Sequence, residues 1–178
     1  MNDTLEDKLV ETAIITLIDG TKIDILNPDP ECIKIEDIAL SLSHICRFNG
    51  HCRFFFGVSC HSLNVCQCIE NAGYEKDIAL AGLLHDASEN LVGDCVTPFK
   101  TYLGHKFKDV ENNIQKIINK KYNIDLFTNK KIIKKYDDEM YELEKRCLKE
   151  DWNHPWIQEI SHRESRLRFL DKFHYLSQ

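Results

Sequence analysis

The chain has 178 residues, 43% of them hydrophobic, which is the size and composition of one domain with one sizeable core. Its 23 Lys and Arg face 29 Asp and Glu, a formal net charge of −6 that argues against non-specific binding to nucleic acid or to an anionic membrane. No run approaches the ~18 apolar residues of a membrane helix. The acidic start, Met1 to Asp7, lacks the apolar stretch of a secretory signal, so a cytoplasmic protein is expected.

The first elements are a β-hairpin. Ala13 to Ile18 and Lys22 to Leu26 are rich in Ile and flank Asp19-Gly20, a strong turn signal, and Asn27-Pro28-Asp29-Pro30 stops the second strand. The hairpin thus occupies residues 12–27, with 1–11 as a flexible lead. Helices are expected at about 35–48, 59–72, 75–91, 99–121, 129–151 and 163–177, making a mostly α fold in a single domain whose helical core runs from 35 to 178. The inward stripe of the fifth helix is Ile133, Tyr136, Met140 and Leu143; in the last, Leu167, Leu170, Phe173 and Leu176 recur as a stripe that is core or a subunit contact. Trp152, Pro155 and Trp156 mark an irregular connection and are expected to pack the core.

Eight cysteines include no C-x-x-C pair and read as buried free thiols of a reducing compartment. A group of Cys46, Cys52, Cys60 and His51 matches no structural zinc spacing. Seven lysines between Lys116 and Lys135 lack interleaved aromatics and read as a solvated face rather than a nucleic-acid patch.

The chemistry-bearing segment is Leu83-Leu84-His85-Asp86-Ala87-Ser88-Glu89-Asn90-Leu91-Val92-Gly93-Asp94. A buried apolar helix runs into His85 and Asp86, which on a helix converge on one ion only over the edge between them. Glu89 follows three residues later on the same face, and Gly93 turns Asp94 back toward it. His61, in the first turn of the second helix, is a candidate third ligand. Asp137 borders the inward stripe of the fifth helix while Asp138 and Glu139 turn to solvent, which makes Asp137 the candidate fourth.

This order, His then His-Asp then Asp, resembles the HD-domain metal-dependent phosphohydrolases. HDASENLVGDCVTPFK, from His85 to Lys100, is similar to the signature of the 5'-deoxynucleotidase branch and of small phage HD hydrolases, including those acting on deoxynucleoside triphosphates. Ile45 to His51 followed by Phe56 to Ser62 resembles the segment bringing a phosphate-binding Arg and the first metal His into such sites. The resemblance implies an HD-type helical bundle and one divalent ion (Zn, Co, Mn, Fe or Mg) on His61, His85, Asp86 and Asp137. It further implies Glu89 and Asp94 as acid/base carboxylates, Arg47 and Lys100 as phosphate clamps, Phe48 and Thr97 on the substrate side, and a homo-oligomer, dimer or higher. Nucleotidases of this kind often carry Arg-Trp where this chain has Arg47-Phe48. The short Asn71 to Tyr74 connection also leaves no room for the lid of longer relatives.

Two imidazoles and two carboxylates leave a divalent ion Lewis-acidic with open positions. The expected activity is hydrolysis of a (deoxy)nucleoside mono- or triphosphate, with no nucleic-acid or membrane partner. Hydrolysis of cyclic nucleotides or alarmones, and a non-catalytic nucleotide-binding sensor, are the alternatives. A sensor has no need of Glu89 and Asp94 together.

Overall fold

A computed structural model describes residues 13–150 and 152–178; the expected flexible lead, residues 1–11, lies outside them. The fold is mostly helical, with one small antiparallel hairpin. Strands β1 (Ile14–Thr16) and β2 (Lys22–Asp24) pair with Ile15 opposite Ile23. They are shorter than the apolar pattern suggests, because the chain already turns at Leu17, whose N–H bonds to the Thr21 carbonyl. Ile23 tucks one face of the hairpin into the core.

Eight α-helices follow among the described residues: α1 (Ile35–His44), α2 (Val58–Asn71), α3 (Lys76–Leu83), α4 (Glu89–Val92), α5 (Thr97–Leu103), α6 (His105–Lys121), α7 (Lys130–Lys149) and α8 (His162–Leu176). Helix α2 is central and packs on α1, α3, α7 and α8. It buries Val58, Val65, Cys66 and Ile69 in a core shared with Ile38 and Leu42 of α1, Leu83 of α3 and Phe169 of α8. A second cluster of Phe56, Cys60, Cys147, Leu148 and Ile157 lies beside the tight turn at Arg47–Gly50, with Phe48 and Cys52 packed on it.

Three expected helices are interrupted. The first stops at His44, before the Arg47 turn. The helix expected at 75–91 ends at Leu83, and residues 84–88 form successive tight turns whose amides bond three residues back, Ala87 to Leu84 and Glu89 to Asp86. The helix expected at 99–121 breaks at Gly104 (φ 74°, ψ −151°), a conformation essentially reserved for glycine, and begins earlier, with Pro98 in its first turn.

Two packing expectations are corrected. Leu167 is half exposed, and the buried face of α8 is Ser165, Phe169, Phe173 and Leu176. Steps of three residues drift about 60° each on a helix, so Leu167 and Leu176 lie on opposite sides and form no single stripe. Trp152 and Trp156 are each 37% exposed, half-covering the surface beside α7 and α2 rather than filling the core. All eight cysteines are free thiols; Cys60, Cys66 and Cys147 are buried and the others partly exposed.

The close approach of α3 to α2 depends on Gly82, where an added Cβ would overlap Ile69 Cδ1. Ile69 is itself fully buried, so its Cδ1 has to shift within the core. Gly82→Ala should therefore destabilise the fold by about 1–2 kcal/mol in a denaturant or thermal melt, although alanine is the better helix former. An unchanged or raised midpoint would show that this contact is not tight.

Candidate functional site

His61 enters the core because α2 starts at Gly57, packed so closely on α1 that a Cβ there would meet the Leu42 and Ser43 carbonyl oxygens at 3.3 Å. The imidazole is fully buried, and its Nδ1 lies 2.7 Å from Glu144 Oε1. His85, on the turn after α3, places Nδ1 2.8 Å from the Gly82 carbonyl. Both neighbours are acceptors, so Nδ1 carries the hydrogen in each ring and Nε2 is the free end.

The two free ends converge on two carboxylates. His61 Nε2 is 3.2 Å from Asp137 Oδ1 and 3.7 Å from Asp86 Oδ2; His85 Nε2 is 3.1 Å from Asp86 Oδ2 and 3.8 Å from Asp137 Oδ1. Neither Nε2 atom makes a hydrogen bond, although both are sealed from solvent. Donor atoms bound about 2.0–2.2 Å from one divalent ion lie roughly 3.0–3.5 Å apart, and the His–Asp separations of 3.1–3.8 Å are close to that spacing. Among the described residues, His61, His85 and Asp86 have metal-competent atoms that all lie within 4.8 Å of one another; Asp137 is close to both imidazoles but stands outside that group. Asp137, at mid-α7, turns Oδ1 to the imidazoles and accepts from Lys134 Nζ on Oδ2 at 2.9 Å, while the exposed Asp138 pairs with the same lysine at 2.8 Å and does not reach the rings.

His85 and Asp86 do not sit on an α-helix as expected from the apolar run before them. In the turns at 84–88 the amides bond three residues back, which brings Asp86 and Glu89 onto one side.

The carboxylates dominate the electrostatics. Burial opposes charging His85, yet Asp86 and Asp137 hold its pKa well above the ordinary imidazole value. Burial and Arg47 oppose charging His61, and Glu144 and Asp137 outweigh them. Conversely, Asp86 and Asp137 stay below the usual carboxylate range despite burial, because the two rings face them. The centre therefore favours positive charge between its donors.

Asp86 and Asp137 open onto a cavity of about 930 Å³ that is also lined by Arg47, Phe48, Glu89, Asp94, Thr97 and Lys100. The structure thus brings together every site residue named from the sequence. Glu89 is 3% exposed; burial first, then Asp86 and Asp94, push its carboxyl well above the usual range. Asp94 is also raised by burial, with Arg47 pulling the other way. It reaches the cavity because Gly93 takes the glycine conformation φ 79°, ψ 164°. Lys100 is tied to Glu111 at 2.6 Å and lies 3.7 Å from Glu89, so a phosphate must compete with that pair.

Arg47 is buried and bonds through Nε to Glu144 Oε2 at 2.8 Å. Its terminal nitrogens make no protein hydrogen bond among the described residues. The next two residues, Phe48 and Asn49, hold left-handed backbone (φ 54° and 52°), a strained state for a bulky Phe that costs about 1–2 kcal/mol. The turn packs the Phe48 ring between Lys149 Nζ, 4.7 Å from its centroid, and Tyr141, at 5.7 Å.

Glu144 was not singled out from the sequence. It is one acid among several on α7, and only its position seven residues after Asp137, on the same helical face, could have marked it.

No protein-family model matches the chain. It is similar to an uncharacterized protein of Rhodobacter capsulatus, 32% identical over 112 residues that cover 61% of this chain and 57% of the relative. It is also similar to the uncharacterized protein YfdR of Escherichia coli, 37% identical over 101 residues, 57% of this chain and 52% of the relative. The match therefore spans little more than half the length of either curated relative. No helix among the described residues is long and apolar enough to cross a membrane.

Proposed function

We propose that the chain is a metal-dependent phosphohydrolase of the HD type that cleaves a phosphate bond of a nucleoside mono- or triphosphate. The observation that carries this reading is the pair of buried, unbonded Nε2 atoms facing two carboxylates at the floor of a cavity. Unpaired buried nitrogens are costly, and a divalent cation is the partner whose size and charge suit all four donors. The resemblance of the His61, His85-Asp86 and Asp137 order to the HD enzymes supports the same choice. Homo-oligomerisation and a cytoplasmic setting remain part of the proposal, on the resemblance and composition alone.

Bound there, a divalent ion supplies Lewis acidity toward water and phosphate oxygens. The protein's own groups do the rest. Arg47, with Nε occupied by Glu144, offers its terminal nitrogens to two phosphate oxygens and neutralises charge that grows there as the bond breaks. Glu89, whose carboxyl is biased toward its protonated form by burial and by Asp86 and Asp94, gives its proton to the leaving oxygen. Asp94, less buried and on the same wall, accepts a hydrogen bond from the attacking water and orients it. Phe48 and Thr97 hold the nucleoside side of the substrate at the cavity mouth.

Metal affinity should weaken as pH falls. His61 and His85 must be neutral at Nε2 to bind a cation, and their raised pKa values let protons compete further up the pH scale than at free imidazoles. Titration of metal-free protein with zinc(II) across the neutral range should show affinity climbing with pH. A pH-independent affinity contradicts ligation by these rings. His85→Ala should abolish both tight metal binding and turnover.

Phosphate release from a panel of ribo- and deoxynucleotides, as mono-, di- and triphosphates with added divalent ion, tests the activity itself. Turnover of none of them by metal-loaded protein overturns the reading. Glu89→Gln should keep its metal and lose about 100-fold or more in kcat. As the proton donor, Glu89 also requires wild-type kcat to fall as pH rises through its pKa. An effect confined to KM would make Glu89 a binding residue instead.

A further inference from the structure

Glu144 is fully buried on α7, yet each of its oxygens is committed to a different part of the site: Oε1 to His61 Nδ1 at 2.7 Å and Oε2 to Arg47 Nε at 2.8 Å. These partners come from α2 and from the strained Arg47 turn, so one side chain joins three elements. An ionised carboxylate removed from water is expensive, and a buried ion pair seldom repays that cost in stability relative to apolar residues of similar volume. The arrangement therefore calls for a role beyond packing.

We infer that Glu144 is a positioning residue that locks the His61 tautomer and the Arg47 guanidinium together, so that the cation site and the phosphate site are one rigid unit. The His61 half needs only a cation at Nε2, whereas the Arg47 half rests on the phosphohydrolase reading. The lock acts through donor direction. A carboxylate accepts on both oxygens, and both partners here donate. This keeps the His61 hydrogen on Nδ1, turns Nε2 to Asp137 as a bare lone pair, and leaves the terminal Arg47 nitrogens for the cavity.

Glu144→Gln preserves shape and breaks this logic, because an amide has one accepting and one donating end. If its oxygen keeps Arg47, its NH2 faces His61 Nδ1, and the ring can meet it only by moving its hydrogen to Nε2, where it blocks the cation. If its oxygen keeps His61, its NH2 opposes the Arg47 N–H and pushes the guanidinium away.

The test compares metal-free wild type, Glu144→Gln and Arg47→Lys, each titrated with zinc(II) and then, metal-loaded, with inorganic phosphate. Glu144→Gln should lose about 10- to 100-fold in metal affinity, the usual scale for removing the partner of a ligating histidine, and should also bind phosphate more weakly. Arg47→Lys retains a cation beside Glu144, so it should keep metal affinity and lose phosphate affinity alone. Wild-type affinities for both probes in Glu144→Gln overturn the inference. A wild type that binds zinc(II) but turns over no nucleotide overturns the phosphohydrolase reading and the Arg47 half with it, and leaves the His61 half standing, while a wild type that binds no divalent ion overturns both halves. If Glu144→Gln does not fold, the long-range 15N–1H spectrum of zinc-loaded wild type keeps the question open to decision. His61 in the Nδ1–H form with a slowly exchanging proton is expected, and the Nε2–H form contradicts the lock.

Discussion

Two imidazole ends, each within 4 Å of both the Asp86 and the Asp137 carboxylate and largely out of water, make a centre that favours positive charge. Asp86 and Asp137 repel each other, and burial makes that repulsion count. Protons on His61 and His85 answer it in one way, and a divalent cation in another. The free energy of that choice links pH, cation concentration and the integrity of the site. It also explains why the surrounding acceptors, Glu144 and the Gly82 carbonyl, are placed on the far side of each ring.

The scaffold keeps these groups in register. Helix α2 carries His61 and packs against the helices that precede Asp86 and contain Asp137, so the donors come from three elements fixed by one core. Beside it, the smaller cluster of Phe56, Cys60, Cys147 and Leu148 supports the Arg47 turn and offsets the strain at Phe48 and Asn49. The opposite wall is looser in construction. Helix α5 has no buried residue and is framed by Gly93 and Gly104, both in conformations that an L side chain rarely adopts. The cavity thus has closely held donors on one side and a lightly packed wall on the other.

The helical class and the hairpin were legible because apolar period and the Asp-Gly turn are local signals. So was the orientation of Asp137, since a residue next to buried Tyr136 has a defined helical phase and Asp138 falls a further 100° away. The turn that carries His85 and Asp86 was not legible, because Ala79 to Leu84 reads as uninterrupted helix and nothing in the sequence marks the tightening at 84–88. Gly104 was visible as a residue but not as a break, because an isolated glycine inside a helical pattern is often tolerated. Glu144 escaped for a different reason. Its partners lie 83 and 97 residues away, and pairing over such distances leaves no local trace. The Leu167 stripe failed arithmetically, since a strict three-residue step does not follow a 3.6-residue helix.

The most direct test of the central claim is anomalous diffraction from crystals of the protein grown with zinc(II), collected on both sides of the absorption edge. The expected result is one strong peak within about 2.0–2.2 Å of His61 Nε2, His85 Nε2, an Asp86 oxygen and an Asp137 oxygen. A peak held by Glu89, Asp94 or the cysteines instead, or no peak while the four side chains keep the same arrangement, would contradict it.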